Sequence, residues 1–281
     1  MLSIIKGDNP VYTFGRNAVH MLKSVTDTIG DSFIITTSDE KVIVIDGGFR
    51  SETDFFLDSL VRITGKEKPF IDGWFLSHAH SDHVEVFFEA IENRRDRVDI
   101  GKVYVNLPPV DFYKGIDDDS DMMLHNYQRL RPFFEDGEEV LSEGDTFSIG
   151  KAAFEVIYTF DPAFRSCNDS SLVFRMELGG KRFLFTGDNG PKASEKIISD
   201  KINHSLLKCD ICKMAHHGQD GSVYDFYRIA SPSVCLWPTP SWVWDNRNGN
   251  LKTLEVRKWI SDLGVKENYI SKDGTYSLLL D

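Results

Sequence analysis

Between positions 78 and 83 the chain reads His78-Ala79-His80-Ser81-Asp82-His83, three imidazoles and a carboxylate within six residues. Crowding such groups is unfavourable unless a cation binds between them. Neutral imidazole nitrogen and carboxylate oxygen are donors that zinc, manganese and iron all accept. A metal site is therefore the expectation for this segment, in preference to a histidine-rich surface turn.

The surrounding sequence supplies the elements that must hold these groups. Phe70 to Leu76 reads as a strand running up to His78, and Asp82 to Ile91 as a helix, so the donors fall on a strand-to-helix turn. The same arrangement recurs elsewhere. Val42-Ile43-Val44-Ile45 ends at Asp46-Gly47-Gly48, Phe183-Leu184-Phe185-Thr186 ends at Gly187-Asp188, and Ile211 to Ala215 ends at His216-His217-Gly218. Four strands each deliver a carboxylate or an imidazole just past their carboxyl end. Strand tips hold side chains rigidly, and an adjacent glycine lets the backbone turn sharply.

Further strands are expected at Ser32 to Thr37, Lys41 to Ile45, Lys102 to Val105, Phe154 to Tyr158, Leu172 to Leu178, Val234 to Trp237 and Tyr276 to Leu280. Helices are expected at Thr53 to Thr64, Asp121 to Phe134 with Ser120 as N-cap, Lys192 to Lys201, and Leu251 to Leu263. Two strand-rich halves with helices between them suggest two sheets packed face to face and flanked by helices.

Composition narrows the class. The 281 residues are 41% hydrophobic and 27% charged, as in a soluble globular protein, and residues 1–281 are read as one domain. No apolar run reaches the ~18 residues of a membrane span, and the first ten residues lack a secretory pattern, so a cytoplasmic protein without membrane contact is expected. Four cysteines in a chain of this length do not make a disulfide framework. A net charge of −12 disfavours extended nucleic acid as a partner and leaves a small-molecule or nucleotide-like substrate.

The motif order resembles the metallo-β-lactamase superfamily, whose H-x-H-x-D-H signature is matched by His78 to His83. Within it, Gly30-Asp31-Ser32, Ile45-Asp46-Gly47-Gly48, Asn168-Asp169-Ser170-Ser171-Leu172, Thr186-Gly187-Asp188 and His216-His217-Gly218 are similar to the metallo-β-lactamase-like domain of competence-type DNA-uptake proteins. The resemblance covers roughly residues 21 to 281 and implies a four-layer αββα sandwich. It also implies two divalent metal ions, zinc foremost, with manganese or iron as alternatives. His78 and His80 would hold one, Asp82 and His83 the second, with Asp188 bridging and His216 completing the second site. Asp82 would also accept a proton from the water, His217 would protonate a leaving group or contact a phosphate, and Asp46 and Asn168 would stand just behind the ligands. Val84-Glu85-Val86 replaces the glycines that often follow the signature. The middle histidine of the family has no counterpart; Asp169 is the favoured substitute, and His125, inside a predicted helix, is read as a core or surface residue.

Two cations sharing a water would generate hydroxide near neutral pH and take up oxyanion charge, with no serine or cysteine nucleophile needed. Histidine at position 80 suits hydrolysis, whereas the oxygen-reducing members of the superfamily resemble H-x-E-x-D-H. The expected activity is hydrolysis of a phosphodiester or other phosphate ester. Hydrolysis of a carboxylic ester, thioester or lactone is one alternative, and a metal-binding accessory protein without turnover is another. Cys209-Asp210-Ile211-Cys212, the acidic run Asp117 to Asp121 and the tryptophan-rich segment Trp237 to Arg247 are read as structural, as are the arginines near 94–97 and 129–131.

Overall fold

Continuous apolar runs such as Val42 to Ile45 and Phe183 to Phe185 are what a strand needs when both its faces are covered. The computed structural model, which describes residues 2–247 and 249–280, shows that arrangement. The strands in chain order are β1 (Leu2–Gly7), β2 (Ala18–Met21), β3 (Ser32–Thr36), β4 (Val42–Asp46), β5 (Phe70–Leu76), β6 (Asp99–Val105), β7 (Glu138–Val140) and β8 (Thr146–Ile149). There follow β9 (Ala152–Tyr158), β10 (Val173–Leu178), β11 (Lys181–Phe185), β12 (Ile211–Lys213), β13 (Val234–Trp237), β14 (Glu267–Ile270) and β15 (Thr275–Leu280). One sheet has the order β1-β15-β2-β3-β4-β5-β6-β7, the other β14-β13-β12-β11-β10-β9-β8.

Alternation along the strands divides the apolar residues among three layers of core. Ile43 and Ile45 of β4 meet Phe174, Phe183 and Phe185 of the opposing sheet between the two sheets. Val42 and Val44 point the other way, towards Phe56, Leu60 and Phe87. Those residues belong to the helices α1 (Thr53–Thr64) and α2 (Ser81–Asn93), which cover the first sheet together with α3 (Asp118–Leu130). On the outer face of the second sheet, Leu184, Cys212 and Cys235 pack under α4 (Pro191–Ser199), α5 (Asn203–Leu207), α6 (Tyr224–Ala230), α7 (Ser241–Trp244) and α8 (Thr253–Asp262). The result is an αββα sandwich. No helix among the described residues is long and apolar enough to cross a membrane.

Local chemistry sets the element ends. α1 stops where Gly65, at φ 68°, returns its N–H to Val61. α3 begins three residues earlier than its apolar pattern suggests, because Asp117 and not Ser120 is the cap: its carboxylate accepts from the Ser120 N–H at 3.2 Å. α3 ends at Leu130, where Pro132 removes a donor.

The parallel part of each sheet matters most for the site. β4 pairs with β5 and β11 with β12 in parallel register, so their carboxyl ends reach the same edge of the sandwich. Asp46, His78, Asp188 and His217 all lie at or just beyond those four ends. Loops leaving parallel strands on one side form the crevice in which such folds place their ligands.

Candidate metal centre

β5 carries the chain to Ser77 and His78, both fully buried. His80 then takes an extended conformation, and α2 starts at Ser81, whose N–H donates to Asp119 Oδ2 at 2.9 Å. Asp82 and His83 thus occupy the first turn of a helix, where the unpaired N–H groups favour a carboxylate.

The donors gather in two adjacent groups. In one, His78 Nε2 faces His80 Nδ1 at 3.0 Å, and Cys167 joins them. The other comprises Asp82, His83, Asp188 and His217, all buried. Asp188 Oδ2 lies 3.3 Å from His83 Nε2, 3.2 Å from His217 Nε2 and 4.0 Å from His78 Nε2, so one oxygen adjoins both groups. Asp82 Oδ2 lies 3.1 Å from His217 Nε2 and 3.7 Å from His83 Nε2. Despite these separations, the Nε2 atoms of His83 and His217 are buried without a hydrogen-bond partner. They approach the carboxylates off the donor direction. Buried nitrogens left this way are costly unless another ligand satisfies them. The donor set, imidazoles with carboxylates, fits divalent transition metals.

Groups behind the ligands fix their orientation. Asp46 Oδ1 accepts from the Ser77 N–H (2.8 Å), and Oδ2 accepts from Ser77 Oγ (2.7 Å) and His83 Nδ1 (2.8 Å). His83 Nε2 is thereby left to face the cluster, the usual carboxylate–histidine support of a metal ligand. His217 is held likewise: its Nδ1 donates to the Pro238 carbonyl at 2.9 Å. His80 Nε2 donates to Asp117 Oδ2 at 3.1 Å.

The electrostatics follow from burial and charge. Burial opposes ionisation of His217, but the Asp188 and Asp82 carboxylates outweigh it and raise its pKa to about 9. His83 is raised by the same balance, burial against Asp188, Asp82 and Asp46. Burial, reinforced by His83 and His80, holds His78 well below the usual imidazole range. Burial disfavours the Asp188 anion, yet His217, His83 and Lys213 hold its pKa well below the carboxylate norm.

Lys213 was not among the expected site residues. Its ammonium is 2% exposed and lies 2.5 Å from Asp31 Oδ2, 3.3 Å from Asp188 Oδ1 and 2.6 Å from the Gly187 carbonyl. Asp31, flagged by sequence only as part of a motif, is its counter-ion. A lysine on β12 with apolar neighbours in sequence carries no signal of this role. Cys167 was missed because sequence offers no reason to separate it from ordinary core cysteines. All four cysteines are free and buried.

Three expectations change. His217, and not His216, enters the second cluster. The chain takes left-handed conformations at His216 (φ 49°), His217 (φ 53°) and Gly218 (φ 76°), and this turn swings His217 inward. Gly218 is required there, since a Cβ would lie 2.4 Å from Trp237 Cε3. His216 is half-buried and outside the cluster, its Nε2 3.3 Å from Asn168 Nδ2. The two histidines are therefore exchanged in position. Asp169 does not face the donors: its Oδ1 accepts from the Ala193 N–H at 3.0 Å, serving the first turn of α4. Asn168 lies beside His216 and not behind a ligand. His125 is exposed on α3 near Asp111, away from both clusters. Trp237 and Trp244 pack edge to face, with Arg257 over Trp244, and the arginines near 94–97 and 129–131 pair with acidic neighbours such as Asp58, Glu92 and Glu138.

The chain is 28% identical over 178 residues to ComE operon protein 3 of Bacillus subtilis (strain 168), a match covering 62% of this chain and 20% of that protein. It thus spans about a fifth of the length of that relative. Among solved structures, the metallo-beta-lactamase fold protein YhfI from Bacillus subtilis superposes with a TM-score of 0.56 at 14% identity, covering 92% of this chain and 98% of that one. CmlA, a diiron beta-hydroxylase from Streptomyces venezuelae, gives a TM-score of 0.57 at 14% identity over 97% of this chain and 55% of that one. These two likenesses establish the fold. Residues 25–230 match the metallo-beta-lactamase superfamily. The chain belongs to that superfamily.

Proposed function

We propose that this protein is a dinuclear metal-dependent hydrolase acting on a phosphodiester or another phosphate ester of small-molecule or nucleotide-like size. The observation that carries the reading is the pair of donor groups meeting at Asp188 Oδ2, with two buried imidazole nitrogens left unpaired towards it. His78 and His80 would hold one divalent ion and Asp82, His83 and His217 the other, with Asp188 between them. Zinc is the favoured ion. Bound there, the ions would lower the pKa of a water and stabilise oxyanion charge.

The chain's own residues do the rest. Asp46 and Pro238 keep the Nε2 lone pairs of His83 and His217 aimed inward. Lys213 and Asp31 balance charge behind Asp188, so that carboxylate stays anionic in a buried place. Asp82 would accept the proton released from an attacking water. His216, half-buried beside Asn168, would meet a leaving oxygen or a phosphate. The motif order shared with the competence-type domain supports a phosphate ester, and the net charge of −12 supports a compact substrate over a polymer.

Turnover of bis(p-nitrophenyl) phosphate is the assay, run beside a panel of lactones and thioesters. Metal-loaded protein is expected to cleave the phosphodiester, and Asp188→Asn to abolish cleavage. His217→Ala should remove an equivalent of bound metal, whereas His216→Ala should keep full metal and lower kcat. Turnover confined to the lactones or thioesters would overturn the substrate assignment. Stoichiometric metal with no turnover on any substrate would overturn the hydrolase reading itself.

A further inference from the structure

The first donor group contains only two histidines, and the loop where a third would stand offers none. Cys167 lies there instead. Its Sγ and the ring nitrogens of His78 and His80 are all within 4.8 Å of one another, and Cys167 is 2% exposed.

Hydrogen bonding shows which ring nitrogens of this group face inward. Ser77 Oγ donates to the acceptor-only Asp46 carboxylate, so towards His78 Nδ1, at 3.0 Å, it accepts. His78 Nδ1 therefore carries the proton and Nε2 a bare lone pair. At His80, Nε2 donates to Asp117 Oδ2, so in the neutral ring that a metal would bind the inward lone pair is the one on Nδ1. The two inward-facing nitrogens, 3.0 Å apart, are thus the ones each ring could offer a metal, with a thiol beside them. A metal ion satisfies all three at once.

We propose that the Cys167 thiolate is the third protein donor of the His78/His80 metal site, completing a set of two imidazole nitrogens and one sulfur. The proposal rests on the reading of the two clusters as metal sites. On binding, a metal–sulfur bond replaces the S–H bond, and the thiol proton leaves to bulk water. Thiolate is a soft donor that favours zinc over manganese or magnesium. The neighbouring cluster, two carboxylates and two imidazoles, is harder. The pair is therefore asymmetric: the site containing Cys167 selects zinc, and the other tolerates harder ions. The remaining cysteines, Cys209, Cys212 and Cys235, lie in the core under α4 to α8 and serve as internal controls.

Zinc K-edge absorption of the wild-type protein tests the bond directly and needs no variant. One sulfur scatterer at roughly 2.3 Å per protein is expected. In parallel, cobalt-substituted protein should show a near-ultraviolet thiolate-to-cobalt band that Cys167→Ser abolishes and Cys235→Ser leaves intact. Cys167→Ser should also weaken one of the two metal equivalents by at least the roughly 10–100-fold seen when a mere supporting group is lost. Bound zinc surrounded only by nitrogen and oxygen, or a cobalt band that survives Cys167→Ser, would overturn the thiolate while leaving the hydrolase reading in place. Failure to bind any metal would overturn both.

Discussion

Asp46→Asn changes one atom of a carboxylate that never touches the proposed metals, yet it should cripple the second cluster. Asp46 accepts three hydrogen bonds, from the Ser77 N–H, Ser77 Oγ and His83 Nδ1. An amide offers only one accepting atom in place of two. If its nitrogen turns towards Ser77 N, two donors meet at about the present 2.8 Å. If it turns towards His83, the ring must present a lone pair at Nδ1 and carry its proton on Nε2. That proton would then point at Asp82 and Asp188 and occupy the position a metal needs. Loss of such a supporting group weakens metal affinity roughly 10–100-fold, or about 1.4–2.8 kcal/mol. The assay is competition with a chromophoric chelator at fixed pH, with circular dichroism to verify the fold. An affinity within about threefold of wild type, in a folded variant, would refute the argument that Asp46 sets the His83 tautomer.

Two predictions concern stability. His20 is fully buried, bonded to Thr13 and Ser277, and burial lowers its pKa from 6.5 to about 3. A base with a depressed folded pKa contributes stability that is complete above the unfolded value and is lost as pH falls from 6.5 towards 3. The slope is about 1.4 kcal/mol per pH unit. Urea melts of wild type and His20→Gln should therefore converge as pH falls through that window; parallel curves would disprove the assignment. Lys213→Met removes the ammonium paired with Asp31 and Asp188, and stranding a buried charge costs about 3–5 kcal/mol. Adding Asp31→Asn should recover part of that loss, and a double variant no better than the single one would exclude the pairing as the cause.

Much of this architecture could be read from residue order because the fold repeats one device. An apolar strand covered on both faces, then a polar residue and often a glycine, locates β4, β5, β11 and β12 and the acidic or imidazole groups at their ends. The helix from Thr53 to Thr64 has the same bounds in sequence pattern and structure. Short edge strands such as Glu138–Val140 and Glu267–Ile270 carry too little periodicity to be seen. The exchange of His216 and His217 was hidden for a different reason. Which of two adjacent side chains faces inward depends on backbone dihedrals, and three successive left-handed residues leave no pattern beyond one glycine. Asp169 misled because an acidic residue after asparagine reads equally as a ligand or as an acceptor for a helix start. Lys213, Asp31 and Cys167 acquire meaning only once distant strands are brought together.

A single oxygen, Asp188 Oδ2, stands within 4.0 Å of ring nitrogens from both donor groups. Occupancy of the two proposed positions would then be thermodynamically linked: whatever factor the first ion imposes on the second, the second imposes on the first. Titration isotherms should deviate from two independent steps, and replacing Asp188 should restore independence between whatever binding survives. Such reciprocity would let scarcity of one metal govern retention of the other.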